Sequence, residues 1–155
     1  MQTYPVKIKL NGRWRETQVA AGETLLHTLR EKLDAFEVKN GCEQGDCGAC
    51  ATIMDGKNVN SCLTLTLQTD GKEVTTLKGI GNRAEPHQLQ ESFLEKGAIQ
   101  CGFCTAGMVV SAKTLLEQNP SPSRQEIKKG LSGNLCRCTG YTKIIEAVED
   151  AAAKA

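Results

Sequence analysis

The stretch GCEQGDCGAC, residues 41–50, places three cysteines in one glycine-rich loop, and a fourth, Cys62, follows after eleven residues. This spacing, C-x4-C-x2-C with a distant fourth cysteine, is typical of plant-type 2Fe-2S centres. Gly41, Gly45 and Gly48 permit positive φ angles and so bring backbone N–H groups close to the sulfurs. A zinc site can also use four thiolates, but zinc sites usually pair short C-x2-C knuckles. The loop therefore favours an iron-sulfur centre over zinc, with the ligands Cys42, Cys47, Cys50 and Cys62.

A second group of four cysteines lies in the other half of the chain, in the strings QCGFCTAG and GNLCRCTGY. Cys101 and Cys104 stand where a helix is expected to begin, and there the free N–H groups and the helix dipole favour thiolate. Cys136 and Cys138 are expected in the turn before another helix. Taken alone, this group fits zinc and iron equally well. Beside the first group it favours a second iron-sulfur centre.

Composition narrows the function classes further. The chain has 155 residues, eight of them cysteine, and its 19 Lys and Arg nearly balance its 18 Asp and Glu. This near-neutral charge argues against a nucleic-acid binder or a polybasic membrane binder. Only 4% of the residues are aromatic and the two histidines are far apart, which argues against a His-rich metal site or a Ser-His-Asp arrangement. We therefore expect no catalytic residue in this chain.

The cysteine content also bears on the cellular compartment. The first residues, MQTYPVKIKLNG, contain no apolar run of signal-peptide length, and no stretch is long enough to span a membrane. We therefore expect a cytoplasmic protein. In that reducing compartment, cysteines at this density are more typical of metal ligands than of disulfides.

The first half of the chain predicts a small mixed sheet with one helix. VKIKL and a run ending at Val19 flank Asn11-Gly12, a dipeptide favoured in tight hairpins. Thr24 is a candidate N-cap for a helix with one apolar stripe, formed by Leu25, Leu26, Leu29 and Leu33. After the cysteine loop come ATIM, a turn, KNVN, the leucine-alternating segment LTLTL and an expected edge strand over residues 73–77.

The second half predicts helices. KGIGNRAEP contains two glycines and a proline without an apolar period, so we place a linker at residues 79–85 between domains 1–78 and 86–155. Four helices are expected after it: one from Pro86 to Gly97, one over residues 105–118, one capped by Ser123 and Glu126, and one from about Thr142. The predicted fold class is α+β. Each half is so small that a hydrophobic core alone gives marginal stability, and a metal centre would stabilise it.

The strings GCEQGDCGAC, QCGFCTAGM and GNLCRCTGY occur in this order and cover both halves of the chain. Through them the chain closely resembles one family, the small iron-sulfur subunits of the molybdenum hydroxylases, which include xanthine dehydrogenase, aldehyde oxidoreductase and carbon monoxide dehydrogenase. The resemblance implies a plant-ferredoxin-like β-grasp domain and a four-helix domain, with one 2Fe-2S cluster in each. It also implies a large partner subunit that binds molybdopterin, plain or as the cytosine dinucleotide, and a medium partner that binds FAD. The expected assembly is a dimer of heterotrimers.

The resemblance also implies roles for individual residues. The cluster on the second cysteine group would lie near the pterin, and the cluster on the first group would lie nearer the flavin. Gln100 matches a family glutamine that hydrogen-bonds the pterin cofactor, and Cys138 matches a ligand whose sulfur approaches the pterin amino group. The chain would then relay single electrons from molybdopterin to FAD. One alternative is a stand-alone two-cluster ferredoxin, which only the first cysteine group supports. The other is a zinc-stabilised interaction module without a redox role.

Overall fold

A computed structural model of the chain describes residues 2–154, which form a five-stranded sheet and six α-helices. The strands are β1 (Thr3–Leu10), β2 (Arg13–Ala20), β3 (Ala51–Met54), β4 (Lys57–Asn60) and β5 (Glu73–Thr75). The helices are α1 (Leu25–Glu31), α2 (Leu77–Ile80), α3 (Gln88–Glu95), α4 (Thr105–Gln118), α5 (Arg124–Gly130) and α6 (Thr142–Ala153). The predicted α+β class is confirmed.

The sheet has the strand order β2-β1-β5-β3-β4. β1 and β2 form the predicted hairpin around Asn11-Gly12, whose φ angles are +49° and +80°. β5 pairs parallel with β1 and antiparallel with β3. The prediction of an edge strand over residues 73–77 is therefore wrong, because this segment returns between the two hairpins and becomes the central strand, Glu73–Thr75.

The leucine-alternating segment LTLTL does not continue the sheet. It forms a turn that leads into a 3-10 helix at Thr66–Thr69. Leu63 and Leu65 are exposed, Leu67 is partly buried and both threonines are buried. The Thr66 hydroxyl donates to the Glu23 carbonyl at 3.0 Å and lies 2.8 Å from the Thr28 hydroxyl. These hydrogen bonds turn the threonine side of the segment toward α1.

The helices of the second half begin and end close to the predicted positions. α4 covers residues 105–118, and α5 begins after a capping box between Ser123 and Glu126. α3 differs at its start, since His87 is its N-cap and its ring Nδ1 accepts the Leu89 N–H at 3.1 Å. Pro86 therefore lies outside the helix. α4 also packs against β3 and β4, so it belongs to the surroundings of the sheet as well as to the helices.

Two hydrophobic cores support the cysteine loops. One lies between the sheet and α1 and includes Cys50 and Cys62. The other is formed by α3, α4, α5 and α6, and Cys104 and Cys136 pack against it. A small third group, in which Val110 of α4 meets the sheet, connects the two. Within residues 2–154, no helix combines the length and the apolar character needed to cross a membrane.

Candidate metal centres

The first cysteine group gathers between the sheet and the loop that follows α1. Cys50 directly precedes β3 and Cys62 follows β4, so the β3–β4 hairpin brings these two residues together. Ser61 fixes this hairpin end, because its hydroxyl donates to the Cys50 carbonyl at 2.8 Å. Cys42 and Cys47 come from the loop itself, and their thiols contact each other, as do the thiols of Cys50 and Cys62. All four predicted ligands of the first group are thus brought together.

The loop backbone points its N–H groups at the sulfurs of the first group. The N–H groups of Gln44 and Cys47 donate to the Cys42 sulfur and lower the pKa of that thiol to about 7. Burial acts in the opposite direction at the inner pair, since burial and the neighbouring Cys50 thiol raise the pKa of Cys62 to about 11. A bound metal offsets such a cost by taking the thiolate as a ligand.

The second cysteine group lies where α4 begins and where the chain passes from α5 to α6. Cys104 is the N-cap residue of α4, and its thiol contacts the thiol of Cys136. Cys101 and Cys138 form the other contact, with their sulfurs 3.5 Å apart, and both of these residues are exposed. The structure therefore brings the four predicted ligands of this group together as well, in one partly buried pair and one exposed pair.

The electrostatic setting of the second group differs from the sequence-based expectation at one cysteine. The start of α4 was expected to favour thiolate, but burial and the Cys136 thiol raise the pKa of Cys104 to about 12. At Cys136 burial also opposes the charge, yet the Thr139 hydroxyl and N–H donate to its sulfur and lower the pKa of that thiol to about 7. The sulfur lies 3.2 Å from the Thr139 hydroxyl and 3.4 Å from its N–H nitrogen.

The arrangement of the thiols bears on the kind of metal centre they fit. A mononuclear zinc site needs its ligands around a single point. Each group of four thiols here offers two neighbouring pairs: Cys42/Cys47 and Cys50/Cys62 in the first group, and Cys101/Cys138 and Cys104/Cys136 in the second. Two pairs at each site fit a centre with two irons, each of which takes two thiolates.

Comparisons with known proteins agree with this donor set. Residues 8–76 match the family described as 2Fe-2S iron-sulfur cluster binding domain, and residues 76–149 match the 2Fe-2S binding domain family. The chain is 51% identical over 146 residues to the nicotine 6-hydroxylase small subunit of Paenarthrobacter nicotinovorans, covering 94% of this chain and 88% of that protein. It is 45% identical over 148 residues to the nicotinate dehydrogenase small FeS subunit of Eubacterium barkeri, covering 96% and 94%.

The chain belongs to the family of small iron-sulfur subunits of molybdenum hydroxylases. It is an oxidoreductase subunit. A solved structure of this family, quinoline 2-oxidoreductase from Pseudomonas putida 86, superposes with a TM-score of 0.95 at 43% identity and covers 99% of this chain and 96% of the matched chain. The resemblance inferred from the three cysteine strings is therefore confirmed.

Within this family fold, the two cysteine loops touch each other through residues that the sequence did not single out. The Leu135 N–H donates to the Cys47 carbonyl at 2.9 Å, and the Asn134 side-chain amide donates to the Gly48 carbonyl at 3.1 Å. The Tyr141 hydroxyl accepts the Cys136 N–H at 2.9 Å. Asn134 and Tyr141 are part of the string GNLCRCTGY, but only the fold brings Asn134 to the other loop.

Gln100, the residue expected to contact the pterin, is exposed and directly precedes the exposed Cys101. It therefore lies at the surface edge of the second cysteine group. In this position a polar side chain is available to a partner, and the Cys101/Cys138 pair is available beside it.

Proposed function

We propose that this chain relays single electrons between a molybdopterin-binding large subunit and an FAD-binding medium subunit, through two 2Fe-2S clusters. The observation that carries the proposal is the pairing of eight thiols into two separate centres in a chain of this family. The ligands of one cluster are Cys42, Cys47, Cys50 and Cys62. The ligands of the other are Cys101, Cys104, Cys136 and Cys138.

When bound, each cluster supplies one-electron redox chemistry. The chain's own residues hold the thiolates in place and point backbone N–H groups at the sulfurs; they bury one pair of cysteines in the first centre and partly bury one pair in the second. Such hydrogen bonds and burial tune the potential of a metal centre. We assign the first cluster to a β-grasp domain, residues 1–78, and the second to a four-helix domain, residues 86–155, with 79–85 as the linker.

The hydrogen bond from Leu135 to Cys47 supports a relay between the two centres. Leu135 directly precedes Cys136, so this single bond of 2.9 Å joins the backbone of a ligand in the first centre to the backbone next to a ligand in the second. A carrier with two unconnected clusters would have no need of such a contact. Its presence favours ordered transfer within the chain.

The surface of the second centre supports the direction of the relay. Gln100, Cys101 and Cys138 are exposed together, so a partner can cover this edge. We assign this edge to the large subunit, with Gln100 and Cys138 contacting the pterin. The medium subunit then meets the first centre. We expect a cytoplasmic complex, assembled as a dimer of heterotrimers.

Purification of the tagged chain from its native host tests the proposal. We expect a red-brown complex with about four iron and about four acid-labile sulfide per copy of this chain, as two 2Fe-2S clusters require. Molybdenum, FAD and two larger subunits should elute with it in size-exclusion chromatography. A chain that elutes alone with full clusters and no molybdenum would support the stand-alone carrier instead. Near-stoichiometric zinc without visible absorption would contradict both.

A further inference from the structure

The two cysteine loops meet at the side chain of Asn134. This residue is only 4% exposed, although its amide is polar. Its Nδ2 donates to the Gly48 carbonyl at 3.1 Å, across 86 positions of sequence. Gly48 directly follows the ligand Cys47, and Asn134 stands two positions before the ligand Cys136. The side chain therefore joins the two metal-binding loops next to a ligand of each.

The backbone around this amide is packed without room for a methyl group. A Cβ on Gly48 would meet the Gly133 carbonyl oxygen and lie 2.6 Å from the Asn134 Nδ2. A Cβ on Gly107, in the first turn of α4, would meet the Gly48 carbonyl oxygen and lie 3.2 Å from the same nitrogen. The segments around Gly48, Gly107 and Gly133 therefore pack backbone against backbone, and the Asn134 amide is the polar group between them.

A buried amide between two loops can fix the position of one loop against the other, even where it adds little to the stability of the fold. One hydrogen bond contributes only modestly to the stability of the folded chain. A buried polar group left without its partner is costly, however, so the loops are held in the one register that satisfies it. The neighbouring bond from Leu135 to the Cys47 carbonyl is formed in the same register.

We infer that Asn134 is a positioning residue that fixes the separation and orientation of the two iron-sulfur clusters. This inference rests on the proposed function, because it requires both clusters to be present. Asn134 acts through Gly48 on the loop of the first centre and through Leu135 on the loop of the second. Its loss would leave both ligand sets complete but would change their mutual geometry.

The experiment uses the full chain purified with its partner subunits and compares two variants. Asn134→Asp keeps the shape of the side chain but replaces the N–H donor by an oxygen that repels the Gly48 carbonyl. Asn58→Asp is the matched control: the Asn58 amide donates to the Ser111 hydroxyl at 2.8 Å and so also joins the sheet to α4, but this hydrogen bond involves neither cysteine loop. Iron content, thermal melting and low-temperature electron paramagnetic resonance of the fully reduced protein are measured for each.

We expect Asn134→Asp to retain full iron and both cluster signals while the magnetic splitting between the two reduced clusters changes. After pulse reduction, electrons should equilibrate between the clusters several-fold more slowly. Asn58→Asp should leave the splitting and this rate as they are in the unaltered protein, because the Ser111 hydroxyl can turn and donate to the new carboxylate. A native splitting and rate in Asn134→Asp, together with a lowered melting temperature, would make Asn134 merely structural and overturn the inference.

Two further outcomes are decided by additional measurements. If Asn134→Asp loads no iron, Asn134→Ala, which removes the donor without adding charge, is tested by the same splitting and rate. Loss of iron from both variants would also overturn the inference, because Asn134 would then be needed to form a centre rather than to position it. The unaltered complex separates this question from the function itself: without two iron-sulfur signals in that complex, the proposed function fails, and the inference fails with it.

Discussion

Replacing Gly48 by alanine should destabilise the iron-loaded chain for two separable reasons. The φ angle of Gly48 is +67°, and an L-residue with a Cβ in this left-handed region costs roughly 1–2 kcal/mol. The new Cβ would also meet the Gly133 carbonyl oxygen and the Asn134 amide, and overpacking of this kind typically costs about 1–3 kcal/mol. Together the two contributions amount to roughly 2–5 kcal/mol.

Gly56→Ala is the matched control for this substitution. Gly56 has a φ angle of +77°, but nothing lies within 4 Å of the position that its Cβ would take. The control therefore has only the backbone cost of roughly 1–2 kcal/mol. The assay is the rate at which visible iron-sulfur absorbance disappears at a fixed guanidinium concentration.

The expected difference between the two variants follows from the crowding alone. The crowding destabilises the folded state by about 1–3 kcal/mol and is relieved once the two cysteine loops separate, so it lowers the barrier to cluster loss by that amount. Gly48→Ala should therefore lose its absorbance roughly 5- to 160-fold faster than Gly56→Ala. Equal rates in the two variants would refute the argument that the cysteine loops are in backbone contact at Gly48.

Two other predictions concern single side chains. Tyr141→Phe removes the acceptor of the Cys136 N–H, so the paramagnetic signal of the second cluster should change while the signal of the first cluster persists. The control Tyr4→Phe should alter neither signal. An unchanged second signal in Tyr141→Phe would count against the assigned contact. Burial and then Lys113 lower the pKa of His87, so the unfolded chain binds more protons than the folded chain as the pH falls through the ordinary histidine range. The stability that neutral His87 contributes is complete above that range and is lost below it. Between about pH 7 and pH 5 the melting temperature should therefore fall more steeply in the unaltered chain than in His87→Asn, which keeps a capping side chain, and parallel declines would contradict this.

Local signals in the sequence were sufficient to predict the helices of the second half. α4 was predicted over residues 105–118, and the structure has these same bounds. The start of α5 followed from the capping box of Ser123 and Glu126, which satisfies free N–H groups within one turn. Both features depend on residues three or four positions apart, so they can be inferred without knowing the rest of the fold.

The segments between Cys62 and β5 could not be predicted in the same way. Alternation in LTLTL indicates two unlike faces but not which of them is buried. Leu63 is 62% exposed, and it covers Gly45 in the first cysteine loop, whereas Thr66 bonds to Glu23 and Thr28. The place of β5 in the sheet depends on β1, which lies more than sixty positions earlier. These outcomes were decided by tertiary partners, which outweigh local pattern.

In the candidate metal centres, too, the local features were predictable from the sequence and the long-range contacts were not. The spacing of the cysteines was enough to identify two groups of ligands, because each group has members within a few residues of each other. The contact between the groups was not predictable, since the Asn134 amide and its Gly48 acceptor are 86 positions apart. Burial also reversed one expectation: the helix start at Cys104 would favour thiolate, but the second core packs against this residue and raises its pKa.

The positions of the cysteine pairs bear on where the partners of the proposed relay would dock. In the second centre the exposed pair, Cys101 and Cys138, faces outward, while Cys104 and Cys136 pack on the helical core. The hydrogen bond to the Cys47 carbonyl comes from Leu135, the residue beside Cys136. In the first centre Cys62 belongs to the buried pair, but it also lines a surface pocket of about 350 Å³. If one partner subunit of the proposed relay covered the exposed pair of the second centre and the other covered this pocket, the two would dock at separate surfaces and would not compete for one cluster.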